Sequence, residues 1–405
     1  MQTFLPEALA GTEADEILRT CVHCGMCNAT CPTYLVERNE LDGPRGRIYL
    51  IKQMLEGDEA TSITRQHLDR CLTCRACETT CPSGVEYHRL LDIGRAEIQR
   101  RAPRPAAPSL LRWLLRQLLS RRGIVVPLMA LGRLFRPLLP APLREHLPLL
   151  RPDLPAVRGA QQRRVILAQG CVQPAMSPTT LQAAALVLDR LGIEGRTLAA
   201  ETCCGALAWH SDGQAQGLGQ ARRNVDTWWR ALEEGAEAIV TTASGCSSFI
   251  RDYPRLFADD PVYSERATRV VESLRDIAEF LACEDLSGLA IDSGARVAWH
   301  CPCTAQHGQS IDGPARDVLT RLGFELPAVR DSHLCCGSAG SYSLFHPAMA
   351  SELRRRKLDA LEASAPEQII TANIGCQSHL ASGTETPVVH WVELVARSLR
   401  STLDS

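Results

Sequence analysis

Cys21-Val-His-Cys24-Gly-Met-Cys27-Asn-Ala-Thr-Cys31-Pro32 and Cys71-Leu-Thr-Cys74-Arg-Ala-Cys77-Glu-Thr-Thr-Cys81-Pro82 repeat one spacing, Cys-x2-Cys-x2-Cys-x3-Cys-Pro. Three thiolates two residues apart can wrap one face of an iron–sulfur cubane, and a fourth, displaced by three residues and followed by proline, is turned toward a neighbouring cluster. The reading is therefore two [4Fe-4S] sites with crossed ligation. One is expected on Cys21, Cys24, Cys27 and Cys81, the other on Cys71, Cys74, Cys77 and Cys31. A zinc site would normally take two ligand pairs across a long spacer, which this doubled run of closely spaced cysteines does not offer.

Outward from these runs, Gly43-Pro44 followed by RGRIYLIKQMLEG predicts a helix opened by proline and closed by Gly57, and TSITRQHLDR predicts another leading into Cys71. The cluster-bearing region is thus expected to be helical. Arg45 and Arg47 could stabilise a reduced, more negative cluster, although charged residues in a first helical turn are usually solvated.

The 405 residues are too many for one ordinary core and imply two or three domains. A net charge of -2 gives no overall basic field for nucleic acid. Eighteen cysteines point to metal and not to a disulfide scaffold, because MQTFLPEALAGTEADEIL has neither a basic start nor an apolar core segment; the expectation is a chain kept in the reducing cytoplasm.

Between positions 101 and 150 the composition changes to nine arginines and a single acid, Glu145. LLRWLLRQLLSRR spaces Arg112, Arg116, Arg121 and Arg122 near helical periodicity, with Leu110, Leu111, Leu114, Leu115, Leu118 and Leu119 covering the rest. This interfacial pattern predicts a segment lying on a membrane surface or docked on another subunit; no run of eighteen apolar residues occurs that would cross one.

Beyond residue 160 the chain repeats itself. Cys171, Cys203, Cys204 and Cys246 are followed by Cys303, Cys335, Cys336 and Cys376, at offsets of 132, 132, 132 and 130 residues. Each half reads as an apolar strand (RRVILAQGC, ARVAWHCPC), a helix, a Cys-Cys-Gly turn, a second helix and a strand (EAIVTTASGC, QIITANIGC), with cysteines at strand ends or in the turns after them. One convergent thiol cluster per module follows. Adjacent cysteines do not easily make a relaxed disulfide, so these eight are candidate additional metal ligands. Cys283 and Cys301 have no counterpart in the other half and are read as structural.

The fold class is α+β multidomain: a helical ferredoxin-type domain over 1–100, a basic amphipathic linker over 101–160, and α/β cysteine-rich modules over 161–290 and 291–405. Gly217-x-Gly219 lacks a third glycine and a preceding strand, so no dinucleotide site is expected. His210, His300, His307, His333 and His346 lie near the cysteine motifs and are each candidate proton donors or supports for a ligand, a satisfied structural histidine being the commoner case.

Taken together, two Cys-Pro-terminated runs and two Cys-Cys-Gly modules resemble the iron–sulfur subunits that share the cysteine-rich domain of the heterodisulfide reductases. The stretches His300-x-Pro302-Cys303-Thr304-Ala305-Gln306-His307-Gly308-Gln309 and His333-Leu334-Cys335-Cys336-Gly337-Ser338-Ala339-Gly340 are most similar to the iron–sulfur subunits of bacterial glycolate dehydrogenases. The resemblance implies a relay subunit with no substrate turnover of its own. Electrons would come from FAD-containing partner subunits that oxidise glycolate to glyoxylate and pass toward a membrane quinone, at the cytoplasmic face of the inner membrane. Lactate and glycerol 3-phosphate are the alternative substrates of such complexes, and disulfide reduction at the Cys-Cys-Gly modules is the alternative chemistry. The chain departs from the family where the last element usually reads Cys-x2-Cys: here it is Cys246-Ser-Ser-Phe249 and Cys376-Gln-Ser-His379, which leaves His379 as a candidate replacement ligand.

Overall fold

A computed structural model describes residues 1–138, 154–157, 159, 161–291 and 293–399. The rest of the 101–160 segment, with Arg144 and Glu145, lies outside the described residues.

The first hundred residues are helical, as their pattern predicts. α1 (Glu13–Thr20) leads into the first cysteine run, and α2 (Pro32–Glu37) starts on the proline that ends it. α3 (Pro44–Glu56) opens with Pro44 in its first turn and stops at Gly57, whose φ of 115° gives the left-handed cap that a Cβ would penalise. α4 (Ser62–Asp69) is capped by the Thr61 hydroxyl, which accepts from the Thr64 amide at 3.1 Å, and delivers the chain to Cys71. α5 (Ala76–Thr79) lies inside the second run, and α6 (Tyr87–Arg101) returns over α3. Ile17, Leu18, Ile51, Met54, Leu68, Leu90 and Leu91 form the core these helices enclose.

α7 (Ala106–Leu119) and α8 (Arg122–Leu134) follow. Several arginines of this stretch face the protein. Arg104 forks onto Asp69 and also reaches Asp212 at 2.8 Å, Arg116 donates to the Ser211 carbonyl at 2.6 Å, and the Arg112 guanidinium lies 4.3 Å from the centre of the Phe345 ring. Leu110, Leu111, Trp113, Leu114, Leu128, Leu131 and Leu134 point outward into solvent. The sequence reading of a basic face open to a surface is therefore corrected for Arg112 and Arg116: acids and carbonyls far away in the chain turn them inward, and the apolar face is the open one. Arg121 stays exposed.

The remainder forms two α/β modules. Strands β1 (Arg163–Ala168), β2 (Ile193–Arg196), β3 (Ile239–Thr241) and β4 (Leu274–Asp276) make a parallel sheet in the order β2-β1-β3-β4. β5 (Val297–His300), β6 (Gln368–Thr371) and β7 (Val388–His390) make a second parallel sheet in the order β5-β6-β7, and a bridge between Arg296 and Glu325 stands where the β2 edge would be. The repeat in sequence is thus a repeat in topology. A single apolar core joins the modules: Val165, Leu188 and Val240 from the first pack in one cluster with Trp299, Ile370, Trp391 and Val395 from the second. Truncating a fully buried leucine such as Leu188 to alanine would cost about 2–5 kcal/mol. Polar ties cross the same boundary, with His390 Nε2 donating to the Thr242 carbonyl at 2.8 Å and the Ser177 hydroxyl donating to Glu393 at 2.7 Å.

Candidate metal centres

Both N-terminal runs build the same loop. The second residue after the first cysteine is left-handed in each (His23, φ 61°; Thr73, φ 53°), and so is the residue after the second cysteine (Gly25, φ 85°; Arg75, φ 63°). Four positive φ values at these places curl the backbone so that its thiols face one centre, at a strain of about 1 kcal/mol or more for each non-glycine residue. A Cβ at Gly25 would also press into the Arg45 guanidinium.

Two cavities result. Cys21, Cys24, Cys27 and Cys81 line the first, with Ile48, Val85 and Tyr87, and Cys77 stands on the wall it shares with the second. Cys31, Cys71, Cys74 and Cys77 line the second, with Arg47, Leu72 and Leu91. Each run therefore lends its last cysteine to the cavity of the other, and among the described residues no carboxylate lines either one. Apart from the shared Cys77, which the crossed pattern gives to the second, four thiols and an apolar wall in each suit an iron–sulfur cubane. Burial pushes the Cys27 thiol up to about 11 and also raises those of Cys74 and Cys77 well above their ordinary value, so a metal must displace their protons on binding.

Arg45 and Arg47 differ from the solvated first-turn arginines expected. Arg45 donates to Glu40 at 2.6 Å and lines the first cavity. Arg47 is buried at the second: it donates to the His67 carbonyl at 2.7 Å and the Thr33 hydroxyl at 3.2 Å, and lies 3.6 Å from Asp42. Asp42, itself buried, also meets His67 at 2.9 Å and Arg70 at 2.9 Å. Burial opposes the Arg47 charge, but the neighbouring Cys71, Tyr87, Cys31 and Asp42 outweigh it and hold the guanidinium charged.

Each cysteine-rich module also gathers its thiols. In the first the chain of contacts is Cys171, Cys203, Cys204, Cys246. In the second the chain of contacts is Cys303, Cys335, Cys336, Cys376. The glycine of each Cys-Cys-Gly turn is left-handed, Gly205 at φ 100° and Gly337 at φ 93°. A Cβ there would stand 2.7 Å from the Gly217 carbonyl in one module and 2.6 Å from the Ala350 carbonyl in the other. Gly217 is where this turn rests on its helix, and a side chain there would meet the Gly205 carbonyl. Contact with Cys335 and then burial push the Cys303 thiol well up.

The histidines divide. His307 bridges domains, meeting the Thr79 hydroxyl at 2.9 Å and the His333 carbonyl at 2.8 Å. His210 stands 3.5 Å from Asp92, which also accepts from Trp209 at 3.0 Å. His346 packs 4.6 Å from Tyr342, ring to ring. His379 turns its Nε2 to the Ala350 carbonyl at 3.1 Å and is not in the group that gathers with the sulfurs of Cys336 and Cys376. His300 does face the thiols: one ring nitrogen and the sulfurs of Cys336 and Cys376 lie within 4.8 Å of one another. Burial holds its imidazole neutral. Cys301 is buried as a packing residue, whereas Cys283 is exposed at a helix end. Sequence reasoning missed Lys357 and Glu201, whose burial beside the Cys-Cys-Gly turns follows from helix packing that no local motif encodes.

Fold and sites together define an iron–sulfur electron-transfer protein. Residues 17–85 match the 4Fe-4S dicluster domain family, and residues 165–251 and 297–381 match the cysteine-rich domain family. The chain is 51% identical to the glycolate oxidase iron-sulfur subunit of Escherichia coli (strain K12) over 98% of its own length and 99% of that protein's. It is 30% identical to the probable glycolate oxidase iron-sulfur subunit of Bacillus subtilis (strain 168), covering 91% and 89%. A crystal structure of a hypothetical protein from Helicobacter pylori shares the fold, with a TM-score of 0.56 at 12% identity, covering 98% of this chain and 74% of that one. The chain belongs to the family of glycolate oxidase iron–sulfur subunits. Among the described residues no helix is long and apolar enough to cross a membrane.

Proposed function

We propose that this chain is the electron relay of a glycolate dehydrogenase, taking electrons from FAD-containing subunits that oxidise glycolate to glyoxylate and passing them toward a membrane quinone. Cys21, Cys24, Cys27 and Cys81 would hold one [4Fe-4S] cluster, and Cys71, Cys74, Cys77 and Cys31 the other. The observation that carries the reading is the exchange of last cysteines between the two cavities. When bound, such clusters accept one electron at a time, which suits division of the pair held by a reduced flavin. The protein's part is to bring four thiolates together, exclude water with Ile48, Val85 and Leu91, and set the potential with the buried charge of Arg47. The same reading extends to the module cysteines, Cys171, Cys203, Cys204 and Cys246 and Cys303, Cys335, Cys336 and Cys376, as sites for an additional iron–sulfur cluster.

The test is anaerobic purification with the flavoprotein partners and an assay of glycolate-dependent dye reduction. At least about eight irons per chain are expected from two cubanes, and the double variant Cys24→Ser, Cys74→Ser should be inactive. Full activity in that variant, or lactate in place of glycolate as the better substrate, would overturn the reading.

A second reading rests on the outward leucines of α7 and α8, which we assign to peripheral contact with the cytoplasmic membrane surface. In flotation with phospholipid vesicles the protein should rise with the lipid, and Leu110, Leu114, Leu128 and Leu131 changed together to serine should leave it at the bottom. Equal flotation of both removes the assignment.

A further inference from the structure

We infer that His300 is a metal ligand, so that the thiol site of the second module is an iron centre of mixed imidazole and thiolate ligation with no counterpart in the first. The inference rests on the reading above that the module thiols take iron.

His300 ends β5 and is 2% exposed, yet its Nε2 has no hydrogen-bond partner. A buried ring nitrogen left bare costs about 1–3 kcal/mol, which calls for a partner that the protein atoms do not supply. Cys336 and Cys376 stand on the same spot. Their sulfurs and one ring nitrogen of His300 form a triangle no wider than 4.8 Å. Ligands about 2.3 Å from a common metal are separated by roughly 3.8 Å, so little movement closes the set. Cys335 and Cys303 continue the same chain of thiols.

The histidine answers a specific deficit. Each module ends in a single cysteine, with Phe249 and His379 three residues further on. Phe249 cannot bind metal, and His379, whose Nε2 meets the Ala350 carbonyl, is not gathered with the sulfurs of Cys336 and Cys376. In the second module the strand end supplies a donor instead. In the first, the position 132 residues earlier is Ala168, which has none.

Two neighbours fit this assignment. Lys357 is buried, donates to the Asp331 carbonyl at 2.8 Å, and lies in the field of Cys303, Cys335 and Cys336, where a cation favours thiolates. The place it occupies, seven residues beyond the contact with the Cys-Cys-Gly glycine, holds Asn224 in the first module. Cys74, from the second ferredoxin-type run, packs with Cys303 and Cys335 on one apolar cluster. An imidazole in place of a thiolate removes one negative charge from a centre and raises its potential.

The experiment uses the full chain, purified anaerobically after growth on 15N-histidine or on unlabelled histidine. Dithionite-reduced samples should show, by pulsed electron paramagnetic resonance, a signal beyond those of two cubanes, with a nitrogen coupling that the label changes, and iron above about eight per chain. His300→Ala should lose that signal and keep the other two. His300→Cys, which restores a donor, should keep the iron, lose the nitrogen coupling and lower the midpoint potential. A further signal without nitrogen coupling, unaltered in His300→Ala but lost in Cys336→Ser, overturns the histidine ligand while sparing iron at the thiols. Zinc bound in a His300-dependent manner overturns the iron assignment. About eight irons and no further signal in the wild type sinks both the inference and the reading beneath it.

Discussion

The two cysteine-rich modules share a backbone and differ in what surrounds their sulfur. Both place four cysteines at strand ends and turns of a parallel sheet, and both need a glycine whose missing side chain lets a helix carbonyl approach. The second adds a buried histidine and a buried lysine, and rests against a cysteine of the ferredoxin-type domain. The first has Ala168 and Asn224 at those places, and Glu201 as its buried acid. What repeats is the steric requirement of the turn; what diverges is the electrostatics of the site it builds.

That comparison can be broken at several points. Gly205→Ala and Gly337→Ala should each lower stability by roughly 3 kcal/mol, since both force a Cβ into a left-handed turn against a carbonyl. Denaturant unfolding of the two variants should give similar losses, and a large inequality would mean that the turns are not equivalent. Function should separate the modules instead: Cys336→Ser is expected to reduce glycolate-dependent dye reduction about thirtyfold more than Cys204→Ser does, in the range typical of disturbed metal sites. Equal rates would place the important thiols elsewhere.

Glu201 distinguishes the first module by pH. Burial raises its carboxyl from 4.5 to about 7, although the Gly170 and Gln169 amides donate to it at 3.0 and 2.8 Å. The folded protein therefore holds the proton more tightly than the unfolded chain, and this contribution to stability, complete below pH 4.5, is lost as pH rises through about 7. Glu201→Gln should match the wild type near pH 4.5 and exceed it by about 1–2 kcal/mol at pH 8, as read from unfolding curves at both values. The smallest effect is expected at Lys357. Lys357→Met removes the cation that favours thiolates, so the pH needed to retain iron should rise by about half a unit, measured by iron analysis after equilibration across a pH series.

Regular spacing made much of this legible in the sequence. The paired runs, the 132-residue offset, the proline and glycine that bound α3 and the threonine that caps α4 are local signals with local causes, and the structure has helices and thiol clusters where they point. What escaped depends on residues distant along the chain. Arg47 reads as a solvated first-turn residue until Thr33, Asp42 and the His67 carbonyl close over it. The arginines of α7 read as a surface face until Asp212 and the Ser211 carbonyl capture them. His379 and His300 both lie near cysteines in sequence, and only the folded structure gathers the second with the sulfurs of Cys336 and Cys376.

The apolar core that runs through both sheets has a practical consequence for anyone dividing the protein. Cutting the chain near residue 295 would leave Leu188 and Val240 on one fragment and Trp299 and Trp391 on the other facing water. Each half made alone should aggregate, and the pair, produced in the same cell, should find each other and fold as a single cooperative body with one melting transition.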